Sequence, residues 1–261
     1  MKNKKLSLYG FLLSLSAVLT ILSCAQRQPD VTDPPPADNS PKSATESRGM
    51  ALSFDGDSDF VVIEDSPSLN MTNGFTISAW VYLRSYTEWA SIVTKGTDDN
   101  NYTIHQTGEQ GGSEEGRLRF TANSPDLPIY FESNTVIPLY EWHHITLSYD
   151  GAALTFYLDG VEDGSGTMTG PLKTNNEPLI IGADFPGGDE FWDGAIDEVK
   201  IWNVALKAGH IRTAMNGHAT PKANVLAAYW RFDEGAGTAV TDRSSNGNNG
   251  ILIGDTQFII P

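Results

Sequence analysis

With 33 acidic against 17 basic side chains, the 261-residue chain carries a formal charge of −16. That balance excludes a surface built to hold phosphate backbones or anionic lipid headgroups, because both depend on Lys and Arg. A single cysteine excludes an internal disulfide framework, and a chain this long buries enough apolar surface to do without one.

The first element is a leader. Lys2, Lys4 and Lys5 precede an apolar stretch from Leu6 to Leu22, interrupted by Ser7, Ser14, Ser16 and Thr20. This is the layout of a secretory signal, whereas a spanning helix needs about 20 predominantly apolar residues. The stretch ends in Ile21-Leu22-Ser23-Cys24, which resembles the lipobox of bacterial lipoproteins, with Leu22 where a small residue is usual. The resemblance implies a signal peptide over residues 1–23 and a lipid on Cys24 as the first mature residue. A plain signal peptide and an uncleaved anchor are the alternatives. Ala25 is not the Asp that retains some lipoproteins at the inner membrane, so the resemblance points to an exported, lipid-anchored cell-envelope protein, at the outer membrane rather than the inner. Loss of three lysines with the leader leaves 14 basic against 33 acidic side chains, or −19. Such a charge suits cation binding, and equally the plain solubility of an exposed protein.

Residues 24–48 form the second element. The 24 residues after Cys24 hold five prolines and one apolar side chain larger than Ala, Val31. They bury too little to offset the cost of ordering, which predicts a disordered tether stiffened at Pro34-Pro35-Pro36.

From Gly49 to the end, short runs of Val, Ile, Phe, Tyr and Trp alternate with Gly/Asn/Asp/Ser clusters, which predicts many short strands joined by turns. The expected strands are 51–55, 60–64, 75–83, 90–95, 102–106, 117–121, 129–132, 143–149, 154–158, 179–183, 195–202, 227–232 and 250–253. Asp159-Gly160 marks a tight hairpin. One short helix is expected within 204–215, where Leu206, Ile211 and Met215 form an apolar stripe. No internal repeat or second linker interrupts 49–261, so these residues are one domain.

Several of these runs carry a resemblance. ALSFDGDSDFV (51–61), FTISAWV (75–81), EWHHITLSYDG (141–151) and LTFYLDG (154–160) look like the strands of the laminin-G-like and pentraxin branch of the concanavalin A-like lectin/glucanase superfamily. GAIDEVKIWNVAL (194–206) and AYWRFDEGAGT (228–238) resemble its later segments, in the expected order. The resemblance implies an all-β fold: a two-sheet antiparallel jelly-roll sandwich with one short helix. It leaves function open, because such folds host lectins, receptors, hydrolases and adhesive modules.

Catalytic motifs are scarce. The superfamily's glycosidases set paired carboxylates on one strand as Glu-x-Asp-x-x-Glu or Glu-x-Asp-x-Glu, and neither pattern occurs. Glu162-Asp163 and Asp233-Glu234 are adjacent pairs that point to opposite faces of a strand. There is no Gly-x-Ser-x-Gly elbow. His143 and His144 face opposite ways, and His144 stands where the resembling motif has a structural His.

Two cation sites are expected. Asp197 shares strand parity with Val199 and Ile201, which turns a carboxylate towards an apolar side and calls for a partner or a cation. The resemblance implies a structural Ca²⁺ there, with oxygens from the opening segment at Asp55, Asp57 and Asp59; a turn-capping Asp is the alternative. TKGTDDNNY (94–102) resembles the pentraxin hairpin that supplies an Asp-Asn pair to a ligand-binding Ca²⁺, and IIGADFPGGDEFWDG (180–194) stands in the place of its acidic loop. The resemblance therefore sets Asp98, Asp99 and Asn100 opposite Asp184, Asp189 and Glu190, although solvated turns would show the same residues. Phe191 and Trp192 follow, and consecutive aromatics in extended chain point opposite ways, leaving one as a platform for a sugar ring.

These readings converge on a non-catalytic, calcium-dependent, lectin-like module for glycan or protein ligands, tied to the membrane only through the lipid on Cys24 and with no nucleic-acid partner. A glycan-degrading enzyme and a purely structural adhesion module are the alternatives.

Overall fold

The structure is a computed structural model and describes residues 49–96, 102–108, 114–123, 128–168, 170–184, 190–217 and 220–261. The leader, Cys24 and the tether, together with Asp98, Asp99, Asn100 and Asp189, lie outside the described residues.

The strands are β1 (Ala51–Asp55), β2 (Phe60–Ile63), β3 (Phe75–Leu83), β4 (Ser91–Lys95), β5 (Tyr102–Gln106), β6 (Leu118–Asn123), β7 (Pro128–Glu132) and β8 (Trp142–Tyr149). They continue with β9 (Ala153–Leu158), β10 (Val161–Thr167), β11 (Leu179–Ile181), β12 (Asp193–Trp202), the helix α1 (Ala208–Met215), β13 (Leu226–Trp230), β14 (Ala239–Val240), β15 (Gly250–Ile253) and β16 (Gln257–Ile259). Sheet A runs β10-β9-β8-β3-β12-β1-β16 with β13 beside β12, and sheet B runs β14-β15-β2-β11-β4-β5-β6-β7. Two antiparallel eight-stranded sheets facing one another are the expected jelly-roll sandwich.

Side-chain alternation fixes which face is inside. On β3, Phe75, Ile77, Ala79, Val81 and Leu83 enter the core, while Thr76, Ser78, Trp80 and Tyr82 turn outward. Phe75 of sheet A meets Phe120 of sheet B at 5.9 Å, and Phe131 of β7 stacks on Phe156 of β9 at 5.6 Å, so aromatic contacts join the two layers. The Asp159-Gly160 hairpin forms between β9 and β10 with both residues at positive φ, 51° and 74°.

The helix starts later than its apolar stripe predicts. Thr76 Oγ1 donates to the Val204 carbonyl and accepts from the Leu206 amide, which holds this stretch extended against β3 before α1 begins. α1 then packs Ile211 and Ala214 with Trp202, Leu206 and Leu226 on the outer face of sheet A. No helix among the described residues is long and apolar enough to cross a membrane.

One local irregularity changes a predicted orientation. In the β12–β3 ladder Asp197 pairs with Trp80 and Lys200 with Ser78, so three steps on β12 oppose two on β3. This is a β-bulge, with Glu198 at φ 52°. It turns Asp197 to the outer face with Trp80, while Val199 and Ile201 enter the core. The simple parity that aimed Asp197 inward with them does not survive the bulge.

Candidate functional site

The acidic loop after β11 is built from the sheet outward. Gly182 accepts its turn at φ 91°, where a Cβ would lie 2.4 Å from the Phe54 ring. Its amide donates to the Ile92 carbonyl, and its own carbonyl accepts from the Trp192 amide, closing the loop at its base. Beyond it Ala183 and Asp184 lie against the outer face of sheet B. Ala183 packs with Phe60 and Ile180, and the Asp184 carboxylate accepts from Thr94 Oγ1 at 3.3 Å. Thr94 is next to the end of β4, which leads into the hairpin tip carrying Asp98, Asp99 and Asn100. The structure thus sets Asp184, a residue that is only 7% exposed, at the end of β4 that leads on to the hairpin.

Glu190 is held elsewhere. Its carbonyl accepts from the Ser91 amide, three residues back along β4 from Thr94, or roughly 10 Å at strand spacing. Asp184 and the Glu190 backbone are thus held at opposite ends of β4. A buried carboxylate beside a hydroxyl suits a hard cation. Of the residues that the resemblance sets at this site, Asp184 and Glu190 are described, and only Asp184 stands at this end of β4.

The two aromatics part as their spacing predicts, and only one is available. Trp192 is 0% exposed and belongs to the core, its indole Nε1 without a hydrogen-bond partner among the described residues. It is no platform, because the pleat turns it between the sheets. Phe191 turns outward, half-buried, and packs on Phe60 at 6.4 Å between ring centres.

The opening segment does not join Asp197. Asp55 pairs with Asp193, four residues from Asp197 on the same strand, about 13 Å away, against Ca²⁺–oxygen distances near 2.4 Å. Asp55 instead accepts from the Asp57 and Ser58 amides, capping its own turn. Burial works to raise its pKa, but those amides, with the amide of Asp59, bring it below the usual carboxylate range. Asp59 accepts from the Asp55 and Asp255 amides and ties the β1–β2 turn to the chain leading into β16. Burial and the Asp55 charge raise its pKa. Asp197 accepts from the Glu198 amide at 2.7 Å. No group of three His, Cys, Asp or Glu among the described residues is arranged to hold a metal.

A second feature of the same sheet face went unpredicted. Arg119 of β6 pairs with Glu132 across to β7, Nε at 3.0 Å and Nη2 at 2.5 Å from Oε1. Its guanidinium stands 5.0 Å over the Trp89 ring and 6.0 Å from the Tyr130 ring. The signal was present in the alternation Arg119-x-Thr121 against Tyr130-x-Glu132. It shows as a cluster only once the β6–β7 register is known.

Comparison with known proteins agrees with this architecture. A family model described as the concanavalin A-like lectin/glucanases superfamily, Laminin_G_3, matches residues 55–212. A candidate carbohydrate-binding protein of Bacteroides ovatus ATCC 8483 superposes with a TM-score of 0.68 at 18% identity, over 82% of this chain and 60% of that one. This chain therefore spans less than two thirds of that protein. The heptameric SAP-like pentraxin of Limulus polyphemus superposes at 0.55 with 15% identity, over 82% of this chain and 95% of that one. At these identities the likeness is one of fold. No curated protein matches the sequence.

Proposed function

The chain belongs to the Laminin_G_3 family of the concanavalin A-like lectin/glucanases superfamily, and from that premise we propose that it is a non-catalytic, calcium-dependent lectin-like module for glycans. The observation that carries the reading is the buried Asp184, whose carboxylate accepts from Thr94 beside the end of β4 that leads into the acidic hairpin. A cation held there by Asp184, with oxygens from the hairpin residues Asp98, Asp99 and Asn100 that the pentraxin resemblance implies, would accept ligand hydroxyl oxygens. Phe191, outward on the same face, offers an apolar surface to a sugar ring. The carbohydrate-binding candidate from Bacteroides ovatus supports a glycan ligand by likeness of fold.

The module is displayed on the cell envelope by a lipid on Cys24 and a Pro-rich tether, a reading supported by the basic, apolar and cysteine order of the leader. Cys24→Ala should release the domain to the soluble fraction or leave unprocessed precursor in the inner membrane. Normally processed, membrane-bound protein from that variant would refute the anchor.

The binding reading is tested on a glycan array with and without calcium. Phe191→Ala should weaken the calcium-dependent signal several-fold, and Asp184→Ala should abolish its dependence on calcium. A signal indifferent to calcium and to both substitutions places the ligand elsewhere.

A further inference from the structure

We infer that the outer face of sheet B carries a separate, calcium-independent subsite for a neutral pyranose, with Tyr130 as its stacking platform and the Arg119–Glu132 pair as its hydrogen-bonding clamp. The inference rests on the reading that this chain binds glycans.

Exposure and position together mark the platform: Tyr130 is 62% exposed on the outer face of a paired strand, and unlike the similarly exposed Tyr140 it shares that face with a charged pair. Two residue pairs along the same ladder, and so on the same face, stands the clamp: Arg119 opposite Glu132, with the inward Phe120–Phe131 pair between it and Thr121 opposite Tyr130. Their side chains are only 12% and 30% exposed, so both charges are held in place rather than free in solvent.

What holds Arg119 is a layered support. Its guanidinium lies over Trp89, and Trp89 lies 5.1 Å from the imidazole of His105. Trp89 adopts φ 65°, a left-handed conformation uncommon for a bulky residue, and this places its ring over the sheet. His105 is fixed at both nitrogens: Nδ1 meets the Gln106 carbonyl at 2.9 Å and Nε2 meets Thr121 Oγ1 at 2.8 Å. A carbonyl only accepts, so Nδ1 carries the proton and Nε2 accepts from the hydroxyl. A neutral imidazole under a Trp does not repel the cation above it.

The clamp selects the ligand by its chemistry. A sugar's vicinal hydroxyls can accept from the guanidinium and donate to the carboxylate together, while its C–H face covers the Tyr130 ring. An anionic sugar would gain at Arg119 and lose at Glu132, against a chain of charge −16. A cationic sugar meets the reverse conflict. A neutral ring satisfies both partners, and none of these groups needs a metal to act.

The full mature chain is the protein to test, on an array of neutral glucans, mannans and galactans beside uronate-bearing, sulfated and amino-sugar polymers, in calcium and in excess chelator. The expected result is retention of a neutral glycan in chelator. Tyr130→Ala should weaken it tenfold or more, and Arg119→Lys, which keeps the charge but loses the planar fork, should also weaken it. Melting temperatures of both variants should stay near wild type. Binding in chelator confined to charged polymers, or neutral binding indifferent to both substitutions, would overturn the subsite. Glycan binding that requires calcium and Asp184 but ignores Tyr130 overturns the subsite alone. Failure of every polymer, with and without calcium, overturns it together with the lectin reading beneath it.

Discussion

Two neighbouring aromatics show how a single pleat divides core from outer face. Trp192 is part of the core, so Trp192→Ala should cost about 3–5 kcal/mol through the cavity it leaves. Phe191, half-buried on the outer face, should cost about 1–2 kcal/mol as Ala and be felt in ligand affinity. Chemical denaturation of the two variants beside a binding assay separates these effects. His105 supplies a second test at this scale. Burial, with the Arg119 charge adding to it, outweighs the Gln106 hydrogen bond and lowers its pKa from 6.5 to about 4. The unfolded chain therefore takes up this proton first as pH falls. Stability from this residue is complete above about pH 6.5 and is lost down to about pH 4, amounting to roughly 3 kcal/mol at most. His105→Gln should flatten the stability profile between those limits. An unchanged slope would show that the ring is not buried as a neutral group.

The strand carrying the bulge is where element-level geometry and chemistry meet. By advancing β12 one residue, the bulge brings Asp197 and Lys200 to one face and leaves Glu198 at its apex. Lys200, 2% exposed, donates to Glu198 Oε2 and to the Ala214 carbonyl at the end of α1, and its ammonium lies 4.6 Å from the Tyr229 ring. Glu198 also accepts from the Tyr229 hydroxyl and from Arg231 Nε. Burial works to raise the Glu198 pKa, but Lys200, Tyr229 and Arg231 lower it overall. Removing the carboxylate strands a buried ammonium, so Glu198→Gln should cost about 3–5 kcal/mol and lower Tm by on the order of 10 °C. Glu198→Gln with Lys200→Met should recover part of that loss, and a double variant no better than the single would show that the pair is not the cause.

The same strand marks the limit of what sequence discloses. Alternation in FTISAWVYL and the Asp-Gly turn were legible because both are local. The bulge was not, because its register depends on β3, more than a hundred residues earlier. β10 was missed because VEDGSGT shows no apolar alternation on an exposed edge, and β14 and β16 because two- and three-residue strands leave no period to see. Asp184 was legible as an acidic loop residue, whereas Arg119 and Tyr130 gain meaning only from the pairing of β6 with β7.

At the scale of the whole molecule the two outer faces carry different side chains. Sheet A gives part of its outside to α1 and the Glu198–Lys200 network, both directed at holding the sandwich together. It also carries Tyr82 against Trp142 and Trp80 against His144, at 5.7 and 5.2 Å between ring centres. Sheet B carries Asp184 on Thr94, Phe191, and the Trp89–Arg119–Tyr130 cluster. The central claim is that glycans bind the outside of sheet B. Its most direct test is the affinity of the mature chain for an array-identified glycan, measured beside Phe191→Ala and Tyr130→Ala on sheet B and Tyr82→Ala and Trp142→Ala on sheet A. The account predicts that at least one sheet B substitution weakens binding tenfold, about 1.4 kcal/mol, while both sheet A variants bind as wild type does. Loss of binding through Tyr82 or Trp142, with Phe191 and Tyr130 both dispensable, would contradict it.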